Sequence, residues 1–256
     1  AIPVVLVAGL FWSFGPYVVR HIDGAEQVPW QYLFTRGIVI FTILNIFLYL
    51  EEGKDFIKNY MKIGISGFVG GIGLGIAMIS FIYSITNTSA AVTLLCLAAM
   101  PFITALLGFM FLREEISKSV WVAIAIAAIG ILIMAIDNSG ENTILGFVFG
   151  IISSIGFSVF SVSLRWRKDT PKFTTVAIAG IFCAVFSAMM ILFNDLSFLS
   201  SGKNHALFAT HGTLVCLGMI LYTIGSKNIP AAELTLLSLT EVIGGIFWVW
   251  IPHFGN

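Results

Sequence analysis

Two charged side chains stand inside long apolar runs: Glu241 about 11 residues into the run 230–251, and Arg36 within the run 30–50. If these runs cross a membrane, a rise of ~1.5 Å per residue puts Glu241 about 17 Å deep, near the middle of a ~30 Å hydrocarbon core. A charge there costs at least ~2.5 kcal/mol on the mildest scale. Ser238, Gly244 and Gly245 share its helical face and leave room for a ligand or water. Glu241 is therefore read as a substrate contact or proton carrier, or else as a protonated, hydrogen-bonded strut between helices. The planar fork of Arg36 suits a carboxylate; it could equally lock its helix to a neighbour through a fixed ion pair, with Glu241 as a partner. His211, in the run 206–225, titrates in the range proton coupling needs, or is a packing residue. Glu233, one turn into the last run, can snorkel to the interface.

Ser154, Ser158 and Ser161 fall on one helical face, where they line a polar cavity or bond back to carbonyls of their own helix. Trp12, Tyr83, Tyr222 and Trp248 are ring candidates for the wall of a pocket, each with packing as the alternative. Gly67, Gly71 and Gly75 form a small-residue stripe of the kind that lets helices approach closely. Gly71-Ile-Gly73-Leu-Gly75 lacks the strand-and-turn context of a dinucleotide fingerprint. Asn87-Thr-Ser89 fits a glycosylation sequon by chance, in a loop too short to stand clear of the membrane. No His/Glu set has metal-ligand spacing and no Ser/His/Asp set is present, so no catalytic residues, metal or cofactor are expected and an intramembrane enzyme is disfavoured.

The elements that hold these residues follow from composition. Of 256 residues, 58% are hydrophobic and 10% charged, against about 25% charged in an ordinary soluble domain. Mean hydropathy is +1.00 and the net charge is zero. A soluble globule, a disordered chain and a nucleic-acid binder with a basic face are excluded. Nine runs are long enough to cross a bilayer as helices: 2–19, 30–50, 61–84, 88–112, 119–136, 143–164, 171–193, 206–225 and 230–251. The fold class is an all-α polytopic membrane protein. Cys96, Cys183 and Cys216 lie in apolar runs and read as buried free thiols. Pro16 and Pro101 fall inside runs, as kinks or hinges. Pro29, Pro171 and Pro230 open runs, where the missing N–H costs little, and Trp30, Trp121 and Trp166 lie near run ends, at interfacial depth.

Orientation comes from the loop cations. Lys54, Lys58, Lys62, Arg113, Lys118, Arg165, Arg167, Lys168, Lys172 and Lys227 fall in alternate loops on one side, against Arg20 and Lys203 on the other. Ten against two assigns the first side to the cytoplasm and the N-terminus with it. No basic segment precedes the first run, so no cleaved signal peptide is read there.

A shift of 141 residues lays 75–95 over 216–236, matching Met78 with Met219, Ile79 with Ile220, Asn87 with Asn228, Ala90 with Ala231, Ala91 with Ala232 and Leu95 with Leu236. Gly71 matches Gly212 upstream, and Pro29 and Pro171 differ by 142. Chance likeness between apolar runs is the alternative. The shift carries the third run onto the eighth and the fourth onto the ninth; five runs apart is an odd number, so the second copy is inverted. Inverted-repeat transporters hold their substrate near the midplane between the halves.

The stretch Tyr83-Ser-Ile-Thr-Asn-Thr-Ser-Ala-Ala, followed by Leu94-Leu95, Pro101, Ala105-Leu106 and Leu112-Arg113-Glu114-Glu115-Ile116, resembles the end of the first repeat of the EamA-type transporters of the drug/metabolite transporter superfamily. Arg36 resembles that family's second-helix arginine, and Ile229-Pro-Ala-Ala-Glu-Leu-Thr-Leu-Leu-Ser-Leu-Thr-Glu241 its second-repeat helix, with Val242 in place of the usual proline. The resemblance covers essentially the whole chain. It implies two inverted repeats of five transmembrane helices with both ends cytoplasmic, here 1–137 and 141–256, with the tenth helix absent after Asn256. It implies an alternating-access carrier, read as an exporter of small metabolites such as amino acids or their relatives across the inner membrane. The expected partners are a small-molecule substrate and the lipid bilayer, with proton coupling open, no nucleic acid, and a monomer as the working unit. A lipid flippase or a non-transporting sensor is the alternative.

Overall fold

The computed structural model describes residues 1–115, 141–167 and 169–250, with 118, 121–122, 125–126 and 129 between them. Among the described residues the chain is all-helical. Eight helical spans are long and apolar enough to cross a membrane. The expected run 119–136 lies largely outside the described residues, as do the loop 131–140 and the tail 251–256. The chain is a multi-pass membrane protein.

The helices are α1 (Ile2–Ser13), α2 (Gly15–Arg20), α3 (Pro29–Glu52), α4 (Ile57–Met61), α5 (Gly64–Asn87), α6 (Ala90–Leu97), α7 (Met100–Leu107), α8 (Glu141–Trp166), α9 (Lys172–Phe193), α10 (Gly202–Gly225), α11 (Ala231–Ser238) and α12 (Thr240–Trp250). Pro29 starts α3 within its first turn. Ser89 caps α6, its Oγ accepting from the Val92 N–H at 3.2 Å, and Ser201 caps α10 in the same way through Asn204 at 3.1 Å. The Asn87 side chain donates to the Tyr83 carbonyl at 2.8 Å, so both polar ends of the sequon serve helix termini.

Three runs that read as single helices in the sequence are interrupted. The first breaks at Phe14, where Pro16 in the first turn of α2 lacks an N–H. The fourth breaks between α6 and α7, with Pro101 in the first turn of α7, and ends in a π-helical turn over Gly108–Leu112. The last breaks at Leu239 without a proline. There Ser238 and Thr240 donate their hydroxyls to the carbonyls of Thr235 (2.7 Å) and Leu237 (3.1 Å), and Thr240 also donates to Leu6 of α1 (3.2 Å). Hydroxyls that take backbone carbonyls compete with the helix ladder.

α5 packs most extensively on α8; α9 packs on α3 and α5, and α10 on α1 and α3. The α5 and α8 backbones come close at paired glycines: a Cβ on Gly156 would lie 2.5 Å from the Gly73 carbonyl and 3.0 Å from the Ala77 N. The stripe Gly67, Gly71 and Gly75 does pack a neighbour, with Cβ positions that would meet Thr170, Ile178 and Phe182. The serine face of α8 fastens that helix to others. Ser153 donates to the Ala77 carbonyl (3.0 Å), Ser154 to Cys96 (2.7 Å) and Ser158 to Met100 (3.1 Å), so Ser154 and Ser158 grip the broken span from either side of its break. All three cysteines are buried and free.

Overfilling the α5–α8 contact costs about 1–3 kcal/mol where backbones touch. Gly156→Val is therefore expected to lower the midpoint of thermal unfolding in detergent by several degrees, at ~2–4 °C per kcal/mol. Gly202→Val, facing open space at the start of α10, is the control and should leave the midpoint unchanged. Equal midpoints for both variants would contradict this packing.

Candidate functional site

A cavity of about 60 Å³ lies in the middle of the bundle. Seven of the eight spans reach it. Its polar lining is Arg36 from α3, Ser153 from α8, His211 from α10 and Glu241 from α12, with Trp12 from α1 on the wall. The rest is apolar, including Met78 and Phe81 of α5, Met100 of α7 and Met219 of α10. Flexible thioethers give such a wall an adaptable shape.

Each ionisable group is placed by a local cause. Glu241 is the second residue of α12, directly after the break at Leu239, so it sits at the start of a half-helix. A carboxylate in a first turn is favoured by the helix dipole. The backbone of α1 approaches this break so closely that a Cβ on Gly9 would collide with the Thr240 hydroxyl and lie 3.1 Å from the Glu241 N. His211 is 2% exposed; its Nδ1 shares a hydrogen bond with the Tyr32 hydroxyl, and its Nε2 would lie 3.1 Å from a Cβ on Gly15. Tyr32 is held in turn by stacking on Phe208, 4.9 Å between ring centres.

Arg36 follows one turn after Tyr32 on α3 and is 3% exposed. Its Nε and Nη1 are buried and have no hydrogen-bond partner. It is close enough to act electrostatically on Glu241, His211 and Tyr32. The ion pairs of the described residues are Lys58–Asp55, Arg165–Glu114 and Lys203–Asp23, and none joins Arg36 to Glu241. The cavity thus holds a guanidinium that reaches Tyr32 but keeps two unmet donors, Nε and Nη1, and forms no ion pair with the acid beside it.

Of the sequence candidates, Glu241, Arg36, His211 and Trp12 come together on the cavity, and Ser158, Tyr83, Tyr222 and Trp248 do not line it. Ser158 bonds to the Met100 carbonyl. Tyr83 packs between Trp30 and Phe149, 5.0 and 5.2 Å between ring centres. Tyr222 is fully buried beneath Trp12 and bonded to Ser161 at 2.7 Å. Trp248 stacks on Phe14 and donates its Nε1 to Ser13 Oγ at 3.0 Å. The sequence reading missed Met78, Phe81, Met100, Phe157 and Met219. The signal that could have found two of them is the repeat, since Met78 and Met219 are a matched pair. Glu233 is exposed in the first turn of α11, away from the cavity. Among the described residues no three His, Cys, Asp or Glu side chains gather as a metal site.

The sequence model of the EamA-like transporter family matches residues 1–136. The chain is 25% identical over 263 residues to a protein of Helicobacter pylori named an uncharacterized transporter, covering 96% of this chain and 84% of that one. It is 23% identical over 188 residues to a Pseudomonas aeruginosa protein named a pseudopaline exporter, covering 72% of this chain and 64% of that one. A crystal structure with 18% sequence identity superposes with a TM-score of 0.70, covering 99% of this chain and 88% of that one, and so shares the fold.

Proposed function

Because the chain belongs to the EamA-like transporter family, we propose that it carries a small metabolite bearing a carboxylate, an amino acid or a relative, outward across the inner membrane by alternating access. The observation that carries this reading is the buried Arg36 guanidinium with two unmet donors in a mid-bundle cavity. A buried unsatisfied charge is costly, and a carboxylate is the group whose shape matches the fork. Glu241, opposite, receives the substrate's ammonium or the coupled proton, and His211 completes the polar side of the site. The apolar wall takes the substrate's body. An outward direction agrees with the printed name of the Pseudomonas relative.

The proposed architecture is two inverted repeats around this cavity, with the run 119–136 as the fifth span of the first. Helix neighbours support it. Exchanging the first four spans for the last four in order turns the α5–α8 contact into α10–α1, α5–α9 into α10–α3, and the contacts of α8 with α6 and α7 into those of α1 with α11 and α12; all of these occur. The breaks at Ala98 and Leu239 also differ by the 141 residues of the sequence shift.

A proteoliposome uptake screen over amino acids, nucleosides and amines tests the function. Carboxylate-bearing compounds should be transported and compete with one another; transport confined to amines or nucleosides would reject the role of Arg36. Orientation has its own test. With the native cysteines replaced, a single cysteine at Lys54 should resist an impermeant thiol reagent in intact cells, and one at Lys203 should react. The opposite labelling would reverse the assignment and place the N-terminus outside.

A further inference from the structure

A second cavity, of about 580 Å³, opens at the end of the bundle where most loop cations lie. It sits among the C-terminal ends of α3, α8 and α10 and the start of α9. Arg165, Lys172 and Lys227 reach it from three helix ends, and Glu51 and Glu52 face it from α3. Arg165 is already engaged, its Nε on Glu114 at 3.2 Å and its Nη1 on the Ile229 carbonyl at 2.7 Å. Lys172 is half-buried, and its Nζ holds the Ser226 hydroxyl at 3.4 Å. Lys227 and Arg165 are near enough to repel its ammonium. Neither Lys172 nor Lys227 forms an ion pair among the described residues, and Glu52 instead accepts from Asn59 at 2.7 Å. The general excess of cations on a cytoplasmic face explains their number. It does not explain why Lys172 and Lys227 converge on one cavity without an ion pair, with Glu51 and Glu52 on its other side.

The two cavities lie in line. Along α8 the order is Ser153 and Phe157 on the central cavity, then Phe160, then Leu164 and Arg165 on the second. Along α10 it is Val215 and Met219, then Tyr222, then Ser226 and Lys227. What separates them is a cluster of buried rings. Phe160 and Tyr222 are fully buried and stacked at 6.1 Å and 26°, and Phe157 and Trp12 pack on Tyr222 at 5.3 and 5.4 Å.

We infer that the second cavity is an antechamber that binds the anionic group of the substrate before it reaches Arg36, with Lys172 and Lys227 as its ligands and the Phe160–Tyr222 pair as the closed partition. The inference rests on the transport reading for what passes through. The binding chemistry itself, an oxyanion between two ammonium groups, is also that of an anionic lipid headgroup, and the two sources are separable. Arg165, Lys172 and Lys227 against Glu51 and Glu52 leave the lining one positive charge in excess, which favours anions.

The test places a single cysteine at Ser226, or at Thr170 on the same wall if that variant folds poorly, in a background with Cys96, Cys183 and Cys216 replaced by alanine. Modification by the anionic sulfonatoethyl methanethiosulfonate is compared with that by the cationic trimethylammonioethyl reagent, each normalised to its rate with free cysteine. In phosphatidylcholine nanodiscs the anionic reagent should react about fivefold faster. The preference should vanish in Lys172→Gln/Lys227→Gln, and inorganic phosphate should slow modification. A faster cationic reagent would mean that Glu51 and Glu52 set the potential, and would overturn the inference. So would protection by phosphatidylglycerol nanodiscs alone, which marks a lipid site, or protection by neither. A lost preference leaves the liposome screen free to succeed, and a failed screen with the preference intact rejects the transport reading instead.

Discussion

Arg36→Gln should abolish most transport and leave the protein at least as stable as the wild type. The two halves of this result come from one fact, the unmet Nε and Nη1 donors. In the empty protein two of the guanidinium's donors are buried without a partner, and burying a donor unmet is costly, so removing them relieves that cost. In the proposed loaded state the same guanidinium would hold the substrate's carboxylate, and truncating one partner of a buried charged hydrogen bond costs about 2–5 kcal/mol. That is roughly a 30-fold or greater loss of apparent affinity. A KM raised by at least that factor in proteoliposomes, with an unchanged or higher unfolding midpoint in detergent, is the expected pair. An arginine that served only to fasten helices would give the reverse pair, a lower midpoint with near-normal KM. Arg36→Lys keeps the charge and loses the fork, and should fall between the two.

Glu241→Gln should slow transport at least ~10-fold at normal membrane expression, a loss of about 1.4 kcal/mol in the limiting step. The amide keeps the size and hydrogen-bonding capacity of the acid at the start of α12, so a purely structural glutamate would tolerate it. It can neither bind an ammonium ionically nor exchange a proton. If Glu241 carries the coupled proton, the slow residual transport should also ignore an imposed pH gradient. Wild-type rates at equal protein in the membrane would return Glu241 to a structural role.

The residues that meet in the cavity were legible to the extent that they are rare where they stand. An arginine, a histidine and a glutamate inside apolar runs announce themselves, and the structure gathers Arg36, His211 and Glu241 on one space. Rings carry no such signal. Trp12 lines the cavity while Tyr83, Tyr222 and Trp248 pack elsewhere, because an aromatic in an apolar run serves equally well for either. The apolar lining was hidden for the same reason, apart from the matched Met78 and Met219. Helix existence was plain from length and hydropathy, and the eight described spans follow the expected runs closely. Helix continuity was not. Pro16 and Pro101 marked two interruptions, but the one at Leu239 depends on where the Ser238 and Thr240 hydroxyls point, which spacing alone does not fix.

The interruptions at Ala98 and Leu239 bear on how force crosses the molecule. An unbroken helix is a stiff rod, so a tilt imposed in one leaflet reappears in the other. Here α7 leans on α11 and α6 on α12, which makes two short pairs stacked end to end, with a joint between them at the level of Glu241. Joints of this kind absorb a local change in backbone angle without passing it on. In the alternating access proposed here, joints at the depth of Glu241 would let one mouth of the bundle widen while the other stays shut.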